Sequence, residues 1–252
     1  MASDSQTAHF SRELEAIAKI QRLLLPPVPA DTEAISFAVR YLPSAVAGGD
    51  YYGIRKTRQD HFALVIADVA GHGAVAAVVM AMFRAWTGAF QLGWLPADKI
   101  ASAINTLWTE TTTLPIFATA AFFEVNELTG KIRSIHCGHP PGLIVSASGA
   151  IREIRHQSVL PLGIEPTMET TIVEDTLSPG DTLVLYTDGI TEARNPAGDL
   201  FGVDRLIEAL RQVGQTPNLH SAADSLLEHV TRFSAGLPQS DDQCLVLARI
   251  GR

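Results

Sequence analysis

The chain has 252 residues, with 19 Lys and Arg against 27 Asp and Glu, a formal net charge of -8. That balance argues against nonspecific nucleic-acid binding and against adhesion to anionic membranes, while leaving room for a local basic patch. Hydrophobic residues make up 46%, enough for one sizeable core, and the length suits one large domain or one domain with a short appendage.

The first ten residues are polar and small and read as a tail. They lack a basic stretch followed by an apolar one, so no secretory signal is expected. From Ser11 to Leu25 the positions Leu14, Ile17, Ala18, Leu24 and Leu25 recur at near-helical spacing, with Ser11 as the expected cap. Pro26, Pro27 and Pro29 end this helix. It packs either on its own domain or on the same helix of a second copy, which leaves a homodimer open. The resulting parse is a tail and helix over 1–30, a linker or dimerisation element, followed by one domain over 31–252.

Strands then dominate. Ser36 to Leu42 alternates, and His61 to Ala67 and Phe117 to Val125 read as buried strands. Lys131 to Cys137 follows a turn at Thr129–Gly130 and suggests a hairpin. Leu143 to Val145, Thr170 to Glu174, Thr182 to Thr187 and Cys244 to Ile250 complete the expected set. Helices are expected at Ala74 to Gln91, apolar nearly all round and therefore buried, and at Ala97 to Thr112, Val203 to Val213 and Ser221 to Phe233. Few helices separate the strands, which disfavours a doubly wound parallel sheet and favours antiparallel sheets with helices outside, an α+β fold. The most apolar stretch, Ala74 to Phe83, is about half the roughly 20 residues a membrane span needs. Cys137 and Cys244 lie far apart in apolar runs and read as buried core residues, consistent with a reducing compartment. No membrane partner is expected, and a cytoplasmic location follows.

Four acidic motifs span the chain: GGD at Gly48 to Asp50, DVAGHG at Asp68 to Gly73, YTDG at Tyr186 to Gly189, and Asp241–Asp242. The last three adjoin strand-like runs, so their carboxylates can converge although distant in sequence. Clustered carboxylates without basic partners repel and call for cations, and hard ions such as Mg²⁺ or Mn²⁺ prefer oxygen ligands. Each motif alone also has a plainer reading: Asp68 as a helix cap, Asp188–Gly189 as a turn, Asp241–Asp242 as a solvated loop. Together they point to a metal site, and to a two-metal hydrolase site in particular.

The order of these motifs resembles the bacterial PP2C-like (PPM) serine/threonine phosphatases of the SpoIIE/RsbU type. The resemblance runs through AIAKIQRLLLP, GGDYYG, IADVAGHGAVAAVVMAMFRA, FATAAFFEV, HCGHPPGLI, PLGI, LSPGDTLVLYTDGITEARN, LFGVDRL and SDDQCLVLARI. It implies a PP2C-like sandwich of two antiparallel β-sheets flanked by α-helices, with a binuclear Mn²⁺ or Mg²⁺ site at the sandwich edge. Asp68 matches the bridging carboxylate and Val69 a backbone carbonyl ligand. Asp188 and Asp241 match terminal ligands, with Asp242 beside them, and Asp50 matches an acid that binds directly or through water. Asp68 and Asp188 are thus the catalytic residues, and hydrolysis proceeds in one step by metal-activated water.

Two departures stand out. Gly53 occupies a position that is usually acidic in the family, and Cys244 one that is usually Thr. His72 is offset from the family's catalytic histidine and is read as structural, and His139 as a turn residue or one behind the ligands. Arg194 meets either substrate phosphate or a surface acid, and Tyr51 and Tyr52 read as core. The implied substrate is a phosphorylated anti-anti-sigma (STAS) protein in a partner-switching pathway, with a regulatory partner left open. The alternatives are a degenerate module that binds a phosphoprotein without turnover, and a phosphatase for small metabolites.

Overall fold

The computed structural model describes residues 2–58, 60–71, 73–90, 95–112, 115–157 and 159–251, with side chains from residue 12 onward. Among the described residues ten strands form two five-stranded sheets with antiparallel pairing throughout. Sheet A has the order β1 (Ile35–Leu42), β10 (Gln243–Ile250), β9 (Thr182–Tyr186), β6 (Leu143–Val145), β7 (Ile151–Glu153). Sheet B has the order β2 (Tyr51–Arg58), β3 (His61–Val69), β4 (Ala118–Asn126), β5 (Lys131–Cys137), β8 (Val173–Thr176).

The two sheets stack on Phe37, Phe62, Leu64, Ile66, Phe123, Leu183, Leu185 and Val246. Phe37 and Phe62 meet with ring centroids 4.9 Å apart. Residues of the opposite parity face helices. Ala63, Val65, Ala67 and Val69 lie under α2 (Ala74–Ala89) and α3 (Ala97–Thr111). Val184, Tyr186, Leu245 and Leu247 lie under α5 (Gly202–Leu210) and α6 (Leu219–Ser234). The inner strands are buried on both faces, so β3, β9 and β10 read as nearly continuous apolar runs. The architecture is the expected α+β sandwich.

The details depart from expectation in several places, among them β7, which was not in the expected set. The first helix, α1, runs Ala2–Leu24 and begins well before Ser11, which therefore does not cap it. Residues 2–24 contain neither Gly nor Pro, so nothing in the segment breaks a helix once propagation has begun. Tyr51–Arg58 is a full strand, and its polar second half hid it in the sequence. Thr170 to Ile172 lie outside β8, which runs on to Thr176. α2 is not buried all round: Val75 and Val78 are 56% and 53% exposed. Among the described residues no helix is long and apolar enough to cross a membrane.

Of its two expected packing partners, α1 is seen on its own domain. Ala18 meets Ala47 and Ala77, and Leu25 packs against the cores on both sides of sheet B. Arg84 donates from Nε to the Leu24 carbonyl at 3.0 Å, and the Tyr52 hydroxyl to that of Pro26 at 3.1 Å. Ile20 and Leu23 remain exposed.

Candidate active site

Antiparallel pairing brings the acidic motifs to one end of the sandwich. Asp50 precedes β2 and Asp68 lies near the end of β3, next to it in sheet B. Asp188 follows β9 and Asp241 precedes β10, next to it in sheet A. Asp68 shares a strand face with Leu64 and Ile66, so it points between the sheets. Asp50 is buried, and Asp68, Asp188 and Asp241 are half-buried.

These acids repel. Burial, followed by the Asp188, Asp241 and Asp242 charges, pushes Asp68 up to about 7. The Asp50 carboxyl lies within hydrogen-bonding reach of Asp68 and partly offsets this. Asp50 is itself raised, first by burial and then by Asp68, with the Thr187 hydrogen bond acting in the opposite sense. Asp188 is raised by burial, Glu192 and Asp241. Among the described residues no Lys or Arg forms an ion pair with any of them.

Asp242 behaves differently. One carboxylate oxygen accepts from the Ser44 backbone N–H at 2.7 Å and from its hydroxyl at 3.0 Å. The other accepts from the Gly49 N–H at 2.6 Å and the Asp50 N–H at 3.5 Å. A carboxylate offers about four lone-pair sites, and here all four are engaged. Asp242 therefore organises the 44–50 loop, and its side chain is taken up there rather than at the centre. Gly48 has to be glycine because an added Cβ would lie 1.9 Å from the Asp242 carboxylate. Gly189 is under the same constraint from the Asp242 carbonyl, also at 1.9 Å.

Three contributors escaped the sequence reading. Thr187, fully buried, donates its hydroxyl to Asp50 at 2.7 Å while accepting from the Cys244 N–H at 2.9 Å. Gln21 of α1 donates its side-chain amide to the Gly48 carbonyl and accepts from the Gly48 N–H at 3.1 Å, so the first helix grips the GGD loop. Tyr41 on β1 receives a long bond from Gln21 at 3.4 Å. Its phenol is raised by burial and then by Asp242, Asp50 and Asp68. The signals for these residues were weak: a polar residue on an otherwise apolar helix face, and the Thr inside YTDG.

Asp188 opens a single helical turn, α4 (Asp188–Thr191), rather than a simple turn. Gly53 pairs with Val65, whose side chain faces the helices, so an acid there would point away from Asp68. Cys244 is buried and pairs with Tyr41. Tyr51 and Tyr52 are core residues. Arg194 donates to the Gly198 carbonyl at 3.1 Å and closes its own loop. His139 is buried, with Nδ1 2.8 Å from the Thr119 hydroxyl. His72 lies outside the described residues.

The donor set suits hard divalent cations: carboxylate oxygens without cationic partners, and a backbone carbonyl beside them. Val69 O lies 2.6 Å from where a Cβ on Gly49 would be, so Gly49 keeps that carbonyl clear. Among the described residues, however, no three His, Cys, Asp or Glu side chains converge as a finished ion site.

Comparison with known proteins agrees with this architecture. The SiaA-PP2C domain of Pseudomonas aeruginosa superposes with a TM-score of 0.86 over 99% of both chains at 22% identity, a likeness of fold. Phosphoserine phosphatase RsbU of Bacillus subtilis is 26% identical over 86% of this chain and 65% of its own length. Phosphoserine phosphatase RsbP of the same organism is 24% identical over 95% of this chain and 58% of its own. The chain thus spans less than two thirds of either relative. The family described as Stage II sporulation protein E (SpoIIE) matches residues 58–251. With its sandwich and its carboxylate end in place, the chain belongs to that family, the bacterial PP2C-like phosphatases of the SpoIIE/RsbU type.

Proposed function

We propose that the chain is a metal-dependent protein phosphatase that hydrolyses phosphoserine or phosphothreonine. One observation carries this reading: four acids from two sheets meet at one end of the sandwich, three of them with raised pKa values, and among the described residues they have no basic partner. Asp68, Asp188, Asp241 and the Val69 carbonyl would hold the ions, with Asp50 at the periphery. Asp242 is left to shape the loop. Two Mn²⁺ or Mg²⁺ ions, when bound, supply Lewis acidity to the attacking water and to the phosphoryl oxygens. The chain's own residues set the spacing of the carboxylates, keep basic side chains out of their neighbourhood and leave Asp68 half-open to solvent.

The relatives' names as phosphoserine phosphatases support a phosphorylated protein substrate, and the family resemblance favours a STAS-type anti-anti-sigma protein in partner switching. The exposed Ile20 and Leu23 support α1 as the contact with a second copy or a regulatory partner. The competing reading is a phosphoprotein-binding module without turnover. It draws on Gly53, where the family usually carries an acid, although an acid there would point away from Asp68.

Phosphate release from a phosphoserine STAS protein, measured with Mn²⁺ titrated in, separates the two. The enzyme reading expects Mn²⁺-dependent turnover that Asp68→Asn and Asp188→Asn abolish. Tight binding with no turnover at saturating Mn²⁺ favours the module.

A further inference from the structure

We propose that His139 is a positioning residue that ties the two sheets together at the carboxylate end and thereby sets the spacing of Asp68 and Asp188. The inference rests on the reading of those two acids as ligands.

His139 lies in the crossover of residues 138–142, which carries the chain from β5 in sheet B to β6 in sheet A. Its entry is tightly fixed. Gly138 has φ of 68°, and an added Cβ would sit 2.6 Å from a Pro161 ring carbon. Gly138 also bridges Ala120 on β4. The crossover thus delivers the imidazole into the interior, where it is 4% exposed.

The ring lies beside residues of both sheets. Nδ1 lies 2.8 Å from the Thr119 hydroxyl on β4, and Thr119 is the cross-strand partner of Asp68. The ring also lies against the backbone of Tyr186, the last residue of β9 and two residues before Asp188. Nε2 is buried and has no hydrogen-bond partner among the described residues. Burial, then His136, lower the imidazole to about 3, with the Tyr186 backbone acting in the opposite sense. The ring is therefore neutral, with one donor and one acceptor. The bond between Nδ1 and Thr119 holds the ring in place beside the Tyr186 backbone.

A residue that only filled space there would influence stability and nothing else. A positioning residue also influences how well the acids hold a cation, and outer partners of metal ligands typically matter by about 10- to 100-fold in affinity. The test is Mn²⁺ binding by calorimetry on the full chain, with Tm measured alongside, for wild type, His139→Leu, His139→Asn and Thr119→Val. We expect Mn²⁺ affinity to fall about 10- to 100-fold in His139→Leu and by a smaller factor in Thr119→Val. His139→Asn, which can still accept from Thr119, should recover part of the loss. On a phosphoserine substrate at fixed Mn²⁺, kcat should fall while KM stays level. Affinities within twofold of wild type in both His139→Leu and Thr119→Val overturn the proposal, whatever happens to Tm. Should His139→Leu fail to fold, Thr119→Val decides alone. A wild type that takes up no Mn²⁺ sinks the ligand reading and the positioning role with it, a result distinct from normal uptake by every variant.

Discussion

The two ends of the sandwich treat their acids in opposite ways. At the far end each prominent acid has a cation or a donor. Burial opposes ionisation of Glu127, yet hydrogen bonds from Lys56 and Thr32 overcome it and lower its pKa. The Arg152 guanidinium meets Asp175 through two bonds of 2.7 Å and lowers it in turn. Arg133 reaches Glu124 and Glu174, beside a cavity of about 510 Å³ that Arg58, His61 and Lys131 also line. At the near end Asp50, Asp68 and Asp188 are all raised, and their surroundings add further acids. The fold evidently can neutralise a carboxylate with a side chain. Where it leaves several uncompensated together, each favours its proton more than an ordinary carboxyl does, and the proposed cations would take the place of that proton.

The largest effect that tests this contrast is Asp68→Asn. Turnover should fall about 100- to 1,000-fold or more, the scale of losing one group that stabilises a transition state. The same substitution should raise the Tm of the metal-free protein, because it removes charge from a repelling cluster. A metal-free Tm that falls instead would mean the near end is not under electrostatic strain.

pH offers a second handle. A carboxyl raised in the folded state binds its proton more tightly there than in the unfolded chain, so its contribution is most favourable at low pH. For Asp68 that contribution is lost as pH rises from the ordinary value of 3.8 to about 7. Metal-free protein should therefore lose Tm across this window, and excess Mn²⁺ should restore it most strongly at the upper end. Equal Mn²⁺ stabilisation at both ends would break the link between the raised acids and the cation.

Smaller effects concern the supports. Thr187→Val removes the buried donor to Asp50 and the acceptor of the Cys244 N–H, and should cost about 1–3 kcal/mol in chemical denaturation. Gln21→Ala leaves both backbone groups of Gly48 without their partner and should lower Tm by about 2–4 °C per kcal/mol lost, within a similar range. An accompanying loss of Mn²⁺ affinity would show that α1 steadies the GGD loop. The smallest change is expected at the far end. Arg152→Ala breaks a half-exposed pair, worth about 1 kcal/mol or less, and should leave turnover untouched. Should Arg152→Ala impair turnover as Asp68→Asn does, the contrast between the two ends collapses.

Much of the fold was legible because burial writes itself into composition. β3, β9 and β10 are covered on both faces, so their apolar runs announce them before any contact is known. β2 was missed because Arg55, Lys56 and Arg58 interrupt that pattern where the strand leaves the core. The extent of α1 was missed because residues 2–10 carry no apolar stripe to mark a helix start.

The acids divide in the same way. Asp50, Asp68, Asp188 and Asp241 were recognisable as a set from their motifs, since the residue types alone determine that such a cluster repels and favours hard cations. Asp241 and Asp242 were told apart only by the family resemblance, being adjacent and chemically identical. The folded chain adds a physical difference between them, by bringing the amides of Ser44, Gly49 and Asp50 to the Asp242 carboxylate. Thr187 beneath Asp50, Gln21 on the GGD loop and His139 between the sheets belong to the same class. Each is an ordinary polar residue whose role depends on a partner from a distant segment. Hydrogen bonds are directional and short-ranged, so sequence pattern carries no record of them, whereas hydrophobic burial and charge repulsion depend mainly on residue type and are visible beforehand.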